Sequence, residues 1–70
     1  MHQFLIVIEK AANNYSAYSP DLEGCIATGK TKEEVKRNMQ KAIELHLKGL
    51  QEDELPIPET HAVAEYVSVK

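Results

Sequence analysis

The sequence predicts an α+β domain of two layers, one helix packed across one four-stranded sheet, in the order βββαβ. Three observations carry that prediction. A run of β-branched and aromatic residues, "QFLIVIEK", opens the chain and two shorter β-like runs follow it. A single amphipathic stretch with a strong start signal occupies residues 31–50. After "LPIPE", the closing "HAVAEYVSVK" alternates again with period two.

Residues 3–10 read as the first strand, with Phe4, Ile6 and Ile8 on one face and Leu5 and Val7 on the other. Both faces are apolar, so the strand is expected to be central or covered on its second face by another subunit. "AANN", residues 11–14, is turn chemistry, because asparagine tolerates the left-handed backbone that short hairpins use. "YSAYS" gives a second strand that Pro20 and Asp21 break, and "GCIATG" a third. Three short strands joined by tight turns make an antiparallel meander.

Thr31, with Glu34 three residues later, reads as a capping box. Val35, Met39, Ala42, Ile43, His46 and Leu50 then share one stripe flanked by Leu47. Lys36, Arg37, Lys41, Glu44 and Lys48 occupy the opposite face. Gly49 weakens the last turn, and Pro56 forbids continuation. The elbow around Pro56 and Pro58 returns the chain to a fourth strand, with Val63, Val67 and Val69 on one face and Ala62, Ala64 and Tyr66 on the other.

Seventy residues are expected to make one domain, 1–70. Such a chain buries only about 60% of its unfolded surface, and its one cysteine excludes an internal disulfide. Without staples, a homodimer or larger even oligomer is expected. The short apolar opening run, closed by Glu9, reads neither as a signal peptide nor as a membrane span, and with an unpaired cysteine it points to a cytoplasmic protein. Residues 1–50 carry seven basic against six acidic side chains, whereas residues 51–70 carry one against five. That acidic end is poorly suited to phosphates and suited to a basic partner. Glu52, Asp53, Glu54 and Glu59 are its candidate binding residues.

No reactive constellation is expected. Cys25 lies in an apolar run with no basic neighbour to lower its pKa, and it reads as a packed thiol. His46 sits in the apolar stripe and reads as structural, while His2, His46 and His61 have no metal-ligand spacing, although His2 and His61 could meet on neighbouring strands. Two-metal nucleases need several converging carboxylates; residues 4–8 of the first strand are all apolar, and Asp21 and Glu23 sit in a turn. "GKT" lacks the upstream glycine of a phosphate-binding loop. No metal, cofactor or catalytic residue is therefore assigned. Pro20 and Gly24 set turns, Cys25 and His46 pack, and Thr31 and Glu34 cap. The rival reading from another class is a hydrolase or nuclease using Asp21, Glu23 and His46; a third is a structural accessory domain.

An aromatic strand is followed by P-D-L-x-G-C at 20–25, G-x-T-x-E-E at 29–34, A-I-E-L-H-L-x-G-L at 42–50 and L-P-I-P, a near form of I-P-x-P. In this order and spacing the chain resembles the HicB-like antitoxin family. One departure is Glu23, where proline is common. The resemblance implies a truncated ribonuclease H-like fold without catalysis. It implies, as function, neutralisation of a small basic, mRNA-cleaving (HicA-type) toxin by direct binding. Many members add a C-terminal DNA-binding segment; the chain is expected to lack one and not to bind DNA.

Overall fold

The computed structural model describes residues 2–70. It contains β1 (Val7–Lys10), β2 (Tyr15–Ser19), β3 (Leu22–Gly29) and α1 (Lys32–Glu52). The strands form one antiparallel sheet in the order β1-β2-β3. The helix lies across one face, which makes a two-layer α+β domain.

The core follows from the two periodicities. On the helix-facing side, β2 contributes Ala17 and β3 contributes Leu22 and Cys25, with Ile8 opposite Ala17 on β1. Val35 and Met39 of α1 close over them with no accessible surface. Phe4, Ile6, Ala42, Ile43 and Leu47 pack around this centre. The predicted stripe is thus the buried one, and Leu45, on the other side of α1, is 70% exposed.

The helix begins where its cap is. Thr31 is in extended conformation and its Oγ1 accepts from the Glu34 N–H at 3.0 Å. The return bond of a full capping box, from Thr31 N–H to the Glu34 carboxylate, is not among the hydrogen bonds of the described residues. Glu33 and Glu34 occupy the positive end of the macrodipole. Two residues before the cap, Gly29 runs so close to the helix that a Cβ there would stand 2.6 Å from the Val35 nitrogen. Only hydrogen fits between strand end and helix start. Asn38 Nδ2 adds a second tie by donating to the Thr28 carbonyl at 2.8 Å.

At the other end, Leu55 N–H bonds the Leu50 carbonyl at 2.8 Å and Glu54 N–H bonds Gln51 at 3.1 Å. This paired closure places the residue after the cap in the left-handed region, and Glu54 has φ 57°. A side chain stands where glycine is ordinarily favoured.

Three features of the sheet differ from expectation. The first strand forms ladder bonds only from Val7 onward rather than from residue 3. Its partner runs out: beyond Tyr18, the Ser19 hydroxyl donates to the Leu5 carbonyl at 2.8 Å, and Pro20 has no N–H to offer. The 11–14 loop closes by Ala11 N–H to the Asn14 carbonyl without left-handed asparagines; among the described residues Glu54 is the one non-glycine with positive φ. The fourth strand does not form. Residues 61–70 join no ladder, and Val63, Val67 and Val69 are each at least 80% exposed. Their alternation supplies strand propensity, but a strand exists only where an edge takes up its backbone groups.

Two consequences are testable. Thr31→Ala should cost about 0.5–2 kcal/mol by removing the N-cap acceptor, lowering Tm by about 4–8 °C per kcal/mol in thermal denaturation. Glu54→Gly should raise stability by up to about 1 kcal/mol, since glycine removes the left-handed backbone penalty while forfeiting some of it through its freer unfolded chain. Urea titration of the two proteins reads the shift; a lower midpoint for Glu54→Gly would contradict the strain.

Candidate functional site

Among the side chains that could carry chemistry, Asp21 is engaged by the protein's own backbone. Asp21, in the turn between β2 and β3, holds a segment 40 residues away. Its Oδ1 accepts from the backbone N–H of His61 at 3.1 Å and of Ala62 at 3.2 Å, with Oδ2 3.3 Å from the latter. This carboxylate anchors the returning chain. Glu23 is exposed on β3, and His46 is half-buried midway along α1. The three residues of the hydrolase reading are not gathered into one reacting centre. Among the described residues no group of three or more His, Cys, Asp or Glu side chains is arranged to hold a metal ion.

The two terminal histidines have separate neighbours. His2 lies beside Phe4, ring centroids 6.4 Å apart, whereas His61 Nε2 faces the Glu59 carboxylate at 3.6 Å. Because the closing segment forms no strand, the two histidines do not face each other across a ladder, the one arrangement in which the sequence allowed them to meet. A shallow groove does run between the chain's opening at His2–Phe4 and its elbow at residues 57–60, Glu59 included.

Cys25 is 5% exposed and belongs to the core. Burial pushes its thiol above the ordinary cysteine value, since the thiolate would lose its hydration there. The thiolate, the nucleophilic form, is disfavoured there. Gly24, next to it, has φ 78° and sits where the β2–β3 register slips between Tyr18 and Ser19. The turn role predicted for Gly24 is thus the left-handed residue of a bulge.

Besides the exposed residues of the closing segment, two surfaces of the body are open to a partner. One is the acidic elbow: Glu52 ends α1, Asp53 caps it, Glu54 follows and Glu59 lies beyond the prolines, all four exposed. The other is the sheet face away from α1. Val7 pairs with Tyr18, and Tyr18 with Ile26, so three apolar side chains form one row across the sheet. Tyr18 is 42% and Ile26 70% exposed. The sequence showed an uncovered apolar face, but which residues compose it depends on the bulge register and on the face α1 selects.

A two-layer α+β domain with its polar groups serving as caps and anchors, and with an apolar sheet face and an acidic end exposed, is the class that fold and surface define. A family model described as "HicB_like antitoxin of bacterial toxin-antitoxin system" matches residues 4–70. The chain belongs to this HicB-like antitoxin family. It is 53% identical over 49 residues to a UPF0150 protein of Helicobacter pylori, a match covering 70% of this chain and 68% of that one. It is 33% identical over 63 residues to a 14.9 kDa protein from the rep-hol intergenic region of Haemophilus phage HP1, covering 90% of this chain and 47% of the phage protein. Among solved structures, a chain of a HicA3 and HicB3 toxin-antitoxin complex superimposes with a TM-score of 0.63 at 28% identity, over 77% of this chain and 66% of that one. The chain therefore spans about two thirds of two of these relatives and about half of the third.

The buried thiol gives a pH prediction. Because the native thiol binds its proton more tightly than the unfolded one, its contribution is complete below the ordinary thiol pKa. It is then lost as pH rises through the raised native value. Urea midpoints of the protein should fall with alkaline pH in this window more steeply than those of a Cys25→Ala variant. Labelling by a thiol reagent in native buffer should be slow and should accelerate on unfolding.

Proposed function

We propose that this protein is the antitoxin component of a toxin–antitoxin pair, neutralising a small basic, mRNA-cleaving toxin of HicA type by direct binding, without catalysis of its own. The observation that carries the reading is the family match over residues 4–70, in a domain superimposing on a chain of a solved toxin–antitoxin complex. The physical counterpart is electrostatic. Residues 51–70 hold five acidic side chains against one lysine, and Glu52, Asp53, Glu54 and Glu59 are exposed at the helix end and elbow. A basic protein is drawn to that end at long range, and the attraction weakens with salt.

The truncated ribonuclease H-like reading belongs to the same proposal, with the sheet serving as a scaffold and not as a nuclease. So does a cytoplasmic place of action, where the toxin's mRNA target lies; no helix of the described residues is long and apolar enough to cross a membrane.

The test uses a catalytically inactive toxin of HicA type. Calorimetric titration should show a complex whose Kd rises with ionic strength. Reversing Glu52, Asp53 and Glu54 to lysine should weaken it at least tenfold while leaving the thermal melt no lower than that of the parent, since all three are exposed and lysine suits the negative end of a helix. Unchanged capture by the reversed variant would move the binding surface away from the elbow. Absence of binding by the parent protein would overturn the antitoxin reading.

A further inference from the structure

The closing segment is the least accounted-for part of the molecule. Val63, Tyr66, Val67 and Val69 are 80, 106, 83 and 87% exposed, a concentration of bare apolar side chains within seven residues. The segment is not a polar tail of the kind that stays in solvent by composition, since valine and tyrosine favour strands. The chain has a radius of gyration of 13.6 Å and a long axis of 47 Å. A compact chain of this length would have a radius near 11 Å. Residues 63–70 thus project from the body as an arm.

The root of the arm is fixed. Asp21 takes the N–H groups of His61 and Ala62, and the two prolines before them stiffen the approach. Beyond Ala62, no hydrogen bond of the described residues ties the arm's backbone to the body. The body, for its part, has an unfilled place for a strand. β1 lies at the edge of the sheet, and the apolar residues 4–6 that lead into it are half-buried but outside any ladder. An unpaired apolar edge is a template for strand addition.

We propose that residues 63–69 are taken up as a strand on the β1 edge of a second copy of this chain, the two copies exchanging arms about a two-fold axis. Each copy carries both halves of the contact, a free arm and a free edge, which is the condition for an isologous interface. The size is adequate. Seven or eight extended residues make a strip about 26 Å long, and with inter-sheet spacing of about 10 Å as its width each strip covers about 260 Å². Two arms and two receiving edges then bury about 1,000 Å², the lower limit for a specific interface. The exchange also adds a fourth strand to each sheet, the element its sequence pattern predicts and the isolated chain does not form. The inference is independent of the toxin reading, because its test uses the chain alone.

Sedimentation equilibrium of the full chain at low micromolar concentration should give twice the 7.9 kDa chain mass. Val63→Asp combined with Val67→Asp should halve that mass while leaving the far-UV circular dichroism of the body unchanged, because neither side chain belongs to the core. Isotope-filtered NOE spectra of a mixture of labelled and unlabelled wild-type protein should show contacts between the arm of one copy and residues 4–8 of the other. A monomeric wild type, a dimer that survives the double substitution, or arm contacts confined within one chain would each overturn the proposal. The NOE measurement decides by itself if the variant fails to fold.

Discussion

Val35 and Met39 press against Ala17, Leu22 and Cys25, and the rest of the domain is arranged around that contact. These are five side chains in a chain without a disulfide, so the helix must sit close to the sheet and in one orientation. Gly29 enforces the closeness, because the backbone of β3 passes the start of α1 at a distance no side chain would allow. Thr31 then starts the helix two residues later, and Asn38 pins its second turn to the end of β3. The strand-to-helix junction and the core are one mechanical unit: displacing either opens the other.

A single helix on a three-stranded sheet covers one face only. The same packing that buries Ile8, Ala17 and Cys25 leaves Val7, Tyr18 and Ile26 in a row on the far side. Small domains have little apolar surface to spare, and the margin between burial and conformational entropy is narrow. An apolar row and an apolar arm left in water are therefore the places where this family member has most to gain from company.

Several polar side chains serve the architecture. Asp21 replaces a turn's missing partners by gripping the backbone at residues 61 and 62, and Ser19 gives the Leu5 carbonyl the donor that Pro20 cannot. Cys25 fills the core in its protonated form. Three acidic residues, Glu52, Asp53 and Glu54, cluster at the end of α1, all exposed, and give that end of the molecule a local negative field. Family membership and this distribution point in the same direction, toward recognition of another protein.

By itself the sequence determined the local elements. The helix cap at Thr31, the Val35–Met39–Ile43 stripe, the hairpin order of the strands and the packed state of Cys25 each depend on residues within a turn or two of one another. Propensity and period act at that range. Tertiary structure decided what has no local cause. The extent of β1 was set by where β2 stops being able to pair, and the outward row by the bulge beside Gly24. The role of Asp21 was set by backbone groups 40 positions away. The pattern of residues 61–70 carries a strand's side-chain alternation, yet a strand also needs a neighbour for its N–H and C=O groups. Alternation is written in the chain, whereas the neighbour is a property of the assembled fold.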